Sequence, residues 1–186
     1  DSISISFGVL NDPSLATLTD GDNNKAITGQ VAWAGEDISA SFQFNWGELQ
    51  GADDSEQGTY DLLLNYGGME DVSMWANYTL VTVEQGLSEG KTHGIAVAAR
   101  MALNDSCGVA VRGEALLRKP HGNNAVDKNS EEYSLTLTGD SALTDNLTAK
   151  VELRLDFAAD DTLPDSDGNA GEDVAAMALA QLVYEF

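Results

Sequence analysis

Residues 173–186 read DVAAMALAQLVYEF. Counting back from Phe186 in steps of two gives Tyr184, Leu182, Ala180 and Ala178, all apolar, while the residues between include Glu185 and Gln181. Side chains on a strand point alternately to opposite faces, so a period of two predicts a strand with one apolar face. One such stretch decides little, and the rest of the chain has to show the same period.

It does so almost throughout. Ile3, Ile5, Phe7 and Val9 alternate with serines and a glycine. After a polar segment, Ile27, Gly29, Val31 and Trp33 form one face of a second strand. A turn at Gly35-Glu36-Asp37 leads to Ile38, Ala40, Phe42, Phe44 and Trp46, set against Ser39, Ser41, Gln43 and Asn45. The fourth and fifth strands carry Tyr60, Leu62, Leu64 and Tyr66, then Val72, Met74, Ala76, Tyr78 and Leu80. The sixth shows Ile95, Val97, Ala99 and Met101 against Arg100, and the seventh Val109, Val111 and Leu117 against Arg112 and Glu114. The eighth alternates Tyr133, Leu135 and Leu137 with Ser134, Thr136 and Thr138. In the ninth, Leu147, Val151, Leu153, Leu155 and Phe157 oppose Lys150, Glu152, Arg154 and Asp156. With residues 173–186 this makes about ten strands, and no helical period competes over a comparable length.

The 186 residues suffice for a single domain, 1–186. Hydrophobic content of 42% argues against disorder despite a net charge of -22. With 31 acidic residues against 9 basic ones, nucleic acid is excluded as a partner, because phosphates need clustered Lys and Arg. The one cysteine, Cys107, has no partner for an internal disulfide. No run approaches the roughly 20 apolar residues of a membrane helix. A transmembrane barrel escapes that test, since its alternating strands leave mean hydropathy near neutral; here it is -0.20.

The connections suggest a rule. Those after strands one, three, five (a loop from Glu84 to Lys91), seven and nine look long and polar, and the others short, with a hairpin-type turn at Asn104-Asp105 and a turn near Asp140 to Asp145. An up-and-down barrel of the bacterial outer membrane has this asymmetry, with long loops outside and tight turns in the periplasm. Aromatics sort the same way. Trp33, Tyr66 and Tyr184, with Phe186 beyond them, lie toward the short-turn end, and Trp46, Tyr60, Tyr133 and Phe157 toward the long-loop end. Two aromatic girdles on an apolar face are what two membrane interfaces select. Trp75 breaks the pattern by falling on the polar face. The expected fold is therefore all-β, an up-and-down antiparallel transmembrane β-barrel of about ten strands, either complete or part of a larger barrel. A secreted β-sandwich binding module also alternates and is the competing architecture.

GVAVRGEALLRKPHG (108–122), SEEYSLTLTGDSALTDNLTAKVELRLDFA (130–158) and a last strand ending aromatic-Glu-Phe resemble the C-terminal part of the putative β-barrel porin-2 (OmpL-like) family. The resemblance rests on Arg112-Gly113-Glu114, the Thr-rich eighth strand, and Lys150, Glu152, Arg154 and Asp156 spaced between apolar residues. An early GVLND (8–12) before a polar loop also fits. Family members usually carry more N-terminal strands than are seen here. What the resemblance implies is passive diffusion of small solutes, no catalysis, and a terminal aromatic strand read by the assembly machinery.

Candidate pore-lining residues are Arg100, Arg112, Glu114, Lys150, Glu152, Arg154 and Asp156, since rings of side-chain charge set selectivity in pores. The alternative is that they pair into a ladder plugging a narrow barrel, leaving a structural or interaction barrel with acidic loops for cations or a partner. Asp20, Asp22, Asp165 and Asp167 lie in loops with the carboxylate and amide density that calcium favours, without the bidentate Glu of a full calcium loop. Loosely bound calcium is the only cofactor they suggest. His93 and His121 stand alone among acidic neighbours, and no nucleophile elbow or phosphate loop is present. The expected partners are outer-membrane lipid, lipopolysaccharide, small solutes or ions, and a second copy or larger envelope complex.

Overall fold

The computed structural model describes residues 1–11, 13, 24–49, 55–85, 88–119, 130–159, 163–164 and 170–185. Its strands are β1 (Ser2–Leu10), β2 (Ala26–Ala34), β3 (Ile38–Glu48), β4 (Ser55–Tyr66), β5 (Val72–Gln85) and β6 (Ser88–Ala102). There follow β7 (Cys107–Lys119), β8 (Ser130–Thr144), β9 (Leu147–Ala158), the short β10 (Leu163–Pro164) and β11 (Ala170–Glu172), and β12 (Val174–Tyr184). Ten of them form one antiparallel sheet in the order β1-β2-β3-β4-β5-β6-β7-β8-β9-β12, so each strand pairs with its neighbour in sequence apart from the β10–β11 hairpin. That is an up-and-down meander. A sandwich needs two facing sheets, and the ten strands lie in one. The sheet is not closed: β1 and β12 are its two edges and do not pair.

Register carries the predicted parity across the sheet. Trp33, Ala40, Leu64, Ala76 and Val97 follow one another on the apolar face, through the pairs Trp33↔Ala40, Ala40↔Leu64, Leu64↔Ala76 and Ala76↔Val97. Leu155 continues that face to Ala176. Burial runs opposite to a water-soluble protein. Leu135 and Leu137 are each 49% exposed, whereas Ser134 and Thr136 between and beside them are 8% and 2% exposed. Among the described residues the only buried hydrophobic is Ala26. Exposed apolar area on this scale is unfavourable in water, at about 25 cal/mol per Å². The pattern demands an apolar surrounding for the outer face. No helix among the described residues is long and apolar enough to cross a membrane.

Two connections differ from expectation. The segment from Glu84 to Lys91 is mostly strand: β5 runs to Gln85 and β6 starts at Ser88, with Gln85 directly opposite Ser88. Only residues 86 and 87 separate them, so the fifth connection is short, not long. The polar composition that suggested a loop belongs to strand ends, where neighbouring backbone ladders still pair. Likewise β8 runs to Thr144 through a register shift near Ala142, so Asp140 is a strand residue and the turn is confined to Asp145 and Asn146. The turn at Asn104 behaves as expected: its Oδ1 accepts from the backbone N–H groups of Ser106 and Cys107, both at 2.9 Å.

Candidate functional site

The polar face gathers its charge on β6 to β9. Because register is strict, side chains on this face form rungs across the strands. One rung is Ala96, Glu114, Ser134 and Asp156; the next is Trp75, Ala98, Arg112, Thr136, Arg154 and Met177. All seven charged residues singled out from the sequence fall on this face, and the register brings Arg112, Glu114, Arg154 and Asp156 into one cluster.

Glu114 is its hub. Its Oε2 accepts from Arg154 Nη1 at 2.9 Å and from Ser134 Oγ at 2.8 Å, and lies 3.4 Å from Arg112 Nε. Arg154 also donates through Nε to Asp156 Oδ1 at 2.8 Å. One guanidinium therefore spans two carboxylates on different strands, a charge-assisted arrangement stronger than neutral hydrogen bonds. Arg112 differs. Its Nε approaches Glu114 without hydrogen-bond geometry, and this atom and Thr136 Oγ1 are buried with no hydrogen-bond partner among the described residues. The two residues are directly opposite one another in register.

A second cluster lies toward the short turns. Arg100 grips Asp140 with two bonds, Nε to Oδ1 at 3.0 Å and Nη2 to Oδ2 at 2.7 Å. Lys150 stands directly opposite Asp140, and Glu152 accepts from Thr138 Oγ1 at 3.1 Å. Toward the long loops, Arg118 pairs with Glu132 at 2.5 Å. On β4, Asp61 Oδ2 accepts from Thr79 at 2.6 Å and Asn77 at 2.9 Å. Asp140 escaped the sequence reading because its neighbours resemble a turn, and Asp61 because it is a lone acid in a leucine-rich strand; parity along the strand was the available signal for both.

A cavity of about 480 Å³ opens beside Glu114; Asn77, Ser134, Arg154 and Asp156 line it, with Leu163 contributed by the β10–β11 hairpin. Across the whole polar face of the ten strands stand five cations (Arg100, Arg112, Arg118, Lys150, Arg154) and six acids (Asp61, Glu114, Glu132, Asp140, Glu152, Asp156). The chain as a whole holds 9 Lys and Arg against 31 Asp and Glu. The face is thus close to charge balance within a strongly acidic protein.

A family described as putative beta-barrel porin-2, OmpL-like, matches residues 1–186. The chain belongs to this porin family. Among solved structures, the anion-selective porin from Comamonas acidovorans superposes with a TM-score of 0.68 at 16% identity, over 95% of this chain and 50% of that one. The likeness shows a shared porin fold, and the chain spans about half the length of that porin. No curated protein matches.

Other expected features divide. Trp33, Tyr66 and Tyr184 stand at the short-turn ends of their strands and Trp46, Tyr133 and Phe157 toward the opposite ends, whereas Tyr60, expected with the latter, lies in the middle of β4; all are on the apolar face, and Phe186 lies outside the described residues. The calcium candidates Asp20, Asp22, Asp165 and Asp167, and His121, also lie outside them. Among the described residues, no group of three or more His, Cys, Asp or Glu is placed to hold a metal. His93 is not an isolated rim residue: its Nδ1 lies 2.9 Å from Tyr78 Oη on the apolar face.

Proposed function

We propose that this porin-family chain forms the wall of a non-catalytic channel for passive diffusion of small solutes or ions across a bacterial outer membrane. The observation that carries the reading is the inverted sheet, with leucines exposed and Ser134, Thr136 and the Glu114 cluster on the sheltered face. In this reading the apolar face meets lipid, the two groups of aromatics sit at the two interfaces, and the polar face lines the water path. The charged clusters then lie where rings of side-chain charge set selectivity. The neighbouring porin is anion-selective by name. Here the polar face holds five of the chain's nine cations against six acids, so its fixed charge is near balance and does not by itself favour anions.

A second reading is favoured by one observation. The pairs Arg154–Glu114 and Arg100–Asp140 run between strands, as they would in a lumen closed by its own side chains. The test is conductance of the full-length protein in planar bilayers under a KCl gradient. Stepwise currents support the channel, with the sign of the reversal potential reporting its ion preference; absence of current over many insertions would leave the plugged barrel.

A further inference from the structure

We propose that the rung Trp75–Ala98–Arg112 is a subsite for a small aromatic carboxylate. Two anomalies meet there. Of the aromatics among the described residues, Trp75 alone lies on the polar face; every other one follows the apolar parity. Of the polar-face arginines, Arg112 alone has no hydrogen bond to the protein among the described residues. The pairs Trp75↔Ala98 and Ala98↔Arg112 place the two on one rung, with only a methyl group between them.

The spacing suits one ring. Adjacent strands lie about 4.8 Å apart, so the Trp75 and Arg112 backbones are separated by roughly 10 Å. Offset stacking on an indole puts ring centroids about 4.5–7 Å apart, and Ala98 leaves that room open. A carboxylate on the far side of the ring then meets the guanidinium fork, whose parallel N–H groups match it. Glu114 approaches Arg112 through Nε at 3.4 Å without hydrogen-bond geometry, and among the described residues no hydrogen bond engages the terminal nitrogens, which are left for the ligand. Glu36 and Asp37 border the cavity of about 380 Å³ beside Trp75 at the short-turn end. Their charge turns the carboxylate toward Arg112 rather than away from it. Solute access rests on the channel reading, whereas binding does not.

The test uses the full-length protein in detergent, titrated with benzoate, acetate and the neutral benzamide by ligand-observed NMR, with KCl conductance recorded in parallel. Benzoate is expected to bind about three- to ten-fold more tightly than acetate and to reduce the KCl current. Trp75→Leu should bring benzoate down to acetate's affinity, Trp75→Phe should keep most of the preference, and Arg112→Gln should abolish the preference of benzoate over benzamide. Heat-modifiable migration checks that each variant is folded. Equal affinity for benzoate and acetate in the parent protein overturns the subsite, as does a benzoate preference that survives Trp75→Leu. If benzoate binds as described while no KCl current is found, the subsite stands and the channel reading fails.

Discussion

Arg112 and Arg154 sit on one rung, carry the same charge and differ in what they hold, which separates selectivity from stability. Replacing either with Gln leaves four cations against six acids on the polar face. For an ion passing about 6 Å away, a unit charge is worth roughly 0.7 kcal/mol in water. Screening at 0.1 M salt, with a Debye length of about 10 Å, reduces this to about 0.4 kcal/mol. Cations gain what anions lose, so the permeability ratio should move about four-fold toward cations in both variants. Stability should divide them. Arg154 donates to Glu114 at 2.9 Å and to Asp156 at 2.8 Å, and its loss leaves two carboxylates facing each other. With its side chain 29% exposed, solvent recovers part of the loss, leaving about 1–3 kcal/mol. Arg112 makes no hydrogen bond among the described residues and only a 3.4 Å contact with Glu114, so Arg112→Gln should cost less than about 0.5 kcal/mol. The assays are reversal potential in a KCl gradient and the urea midpoint for loss of heat-modifiable migration. Unchanged reversal potentials in both variants, or equal destabilisation by both, would refute the reasoning.

Three further outcomes follow from the faces of the sheet. Leu137→Lys puts a charge on the outer face and should cost about 2–4 kcal/mol near the bilayer midplane, whereas Thr136→Ala one residue away should be nearly neutral or stabilising, because its hydroxyl has no partner among the described residues; folding yield into liposomes compares them. Asp140→Asn removes the charge from a two-bond grip on Arg100 and should lower the urea midpoint by the equivalent of about 1 kcal/mol. Gly47→Ala should destabilise by about 1–3 kcal/mol, since a Cβ at Gly47 would meet the Ala26 Cα at 2.5 Å and the Lys25 carbonyl at 2.8 Å, backbone atoms that cannot swing aside; a urea titration measures it.

What could be read from the chain was parity. A period of two fixes which residues share a face, so Lys150, Glu152, Arg154 and Asp156 were assignable to one face without coordinates, as were Trp75's departure and the meander of strands. Partners were not legible, because they depend on register between strands far apart in sequence. Glu114 and Arg154 are forty positions apart, and nothing local marks Glu114 as the hub or Arg112 as the polar-face arginine with no hydrogen bond among the described residues. Strand ends were misjudged where polarity stood in for looseness: Glu84 and Glu89 face each other across a paired ladder, and Asp140 is held by Arg100. The open edges β1 and β12 were equally hidden, since alternation does not say whether the first and last strands pair.

The most direct test of the central claim is cysteine accessibility under current. In a Cys107→Ser background, Glu152→Cys and Leu153→Cys place a single thiol on opposite faces of β9, one residue apart. A charged, water-soluble methanethiosulfonate should react with Glu152→Cys in reconstituted protein and lower its conductance, while Leu153→Cys stays unmodified behind lipid. Modification of Leu153→Cys with Glu152→Cys silent would contradict the inverted sheet and the channel built on it.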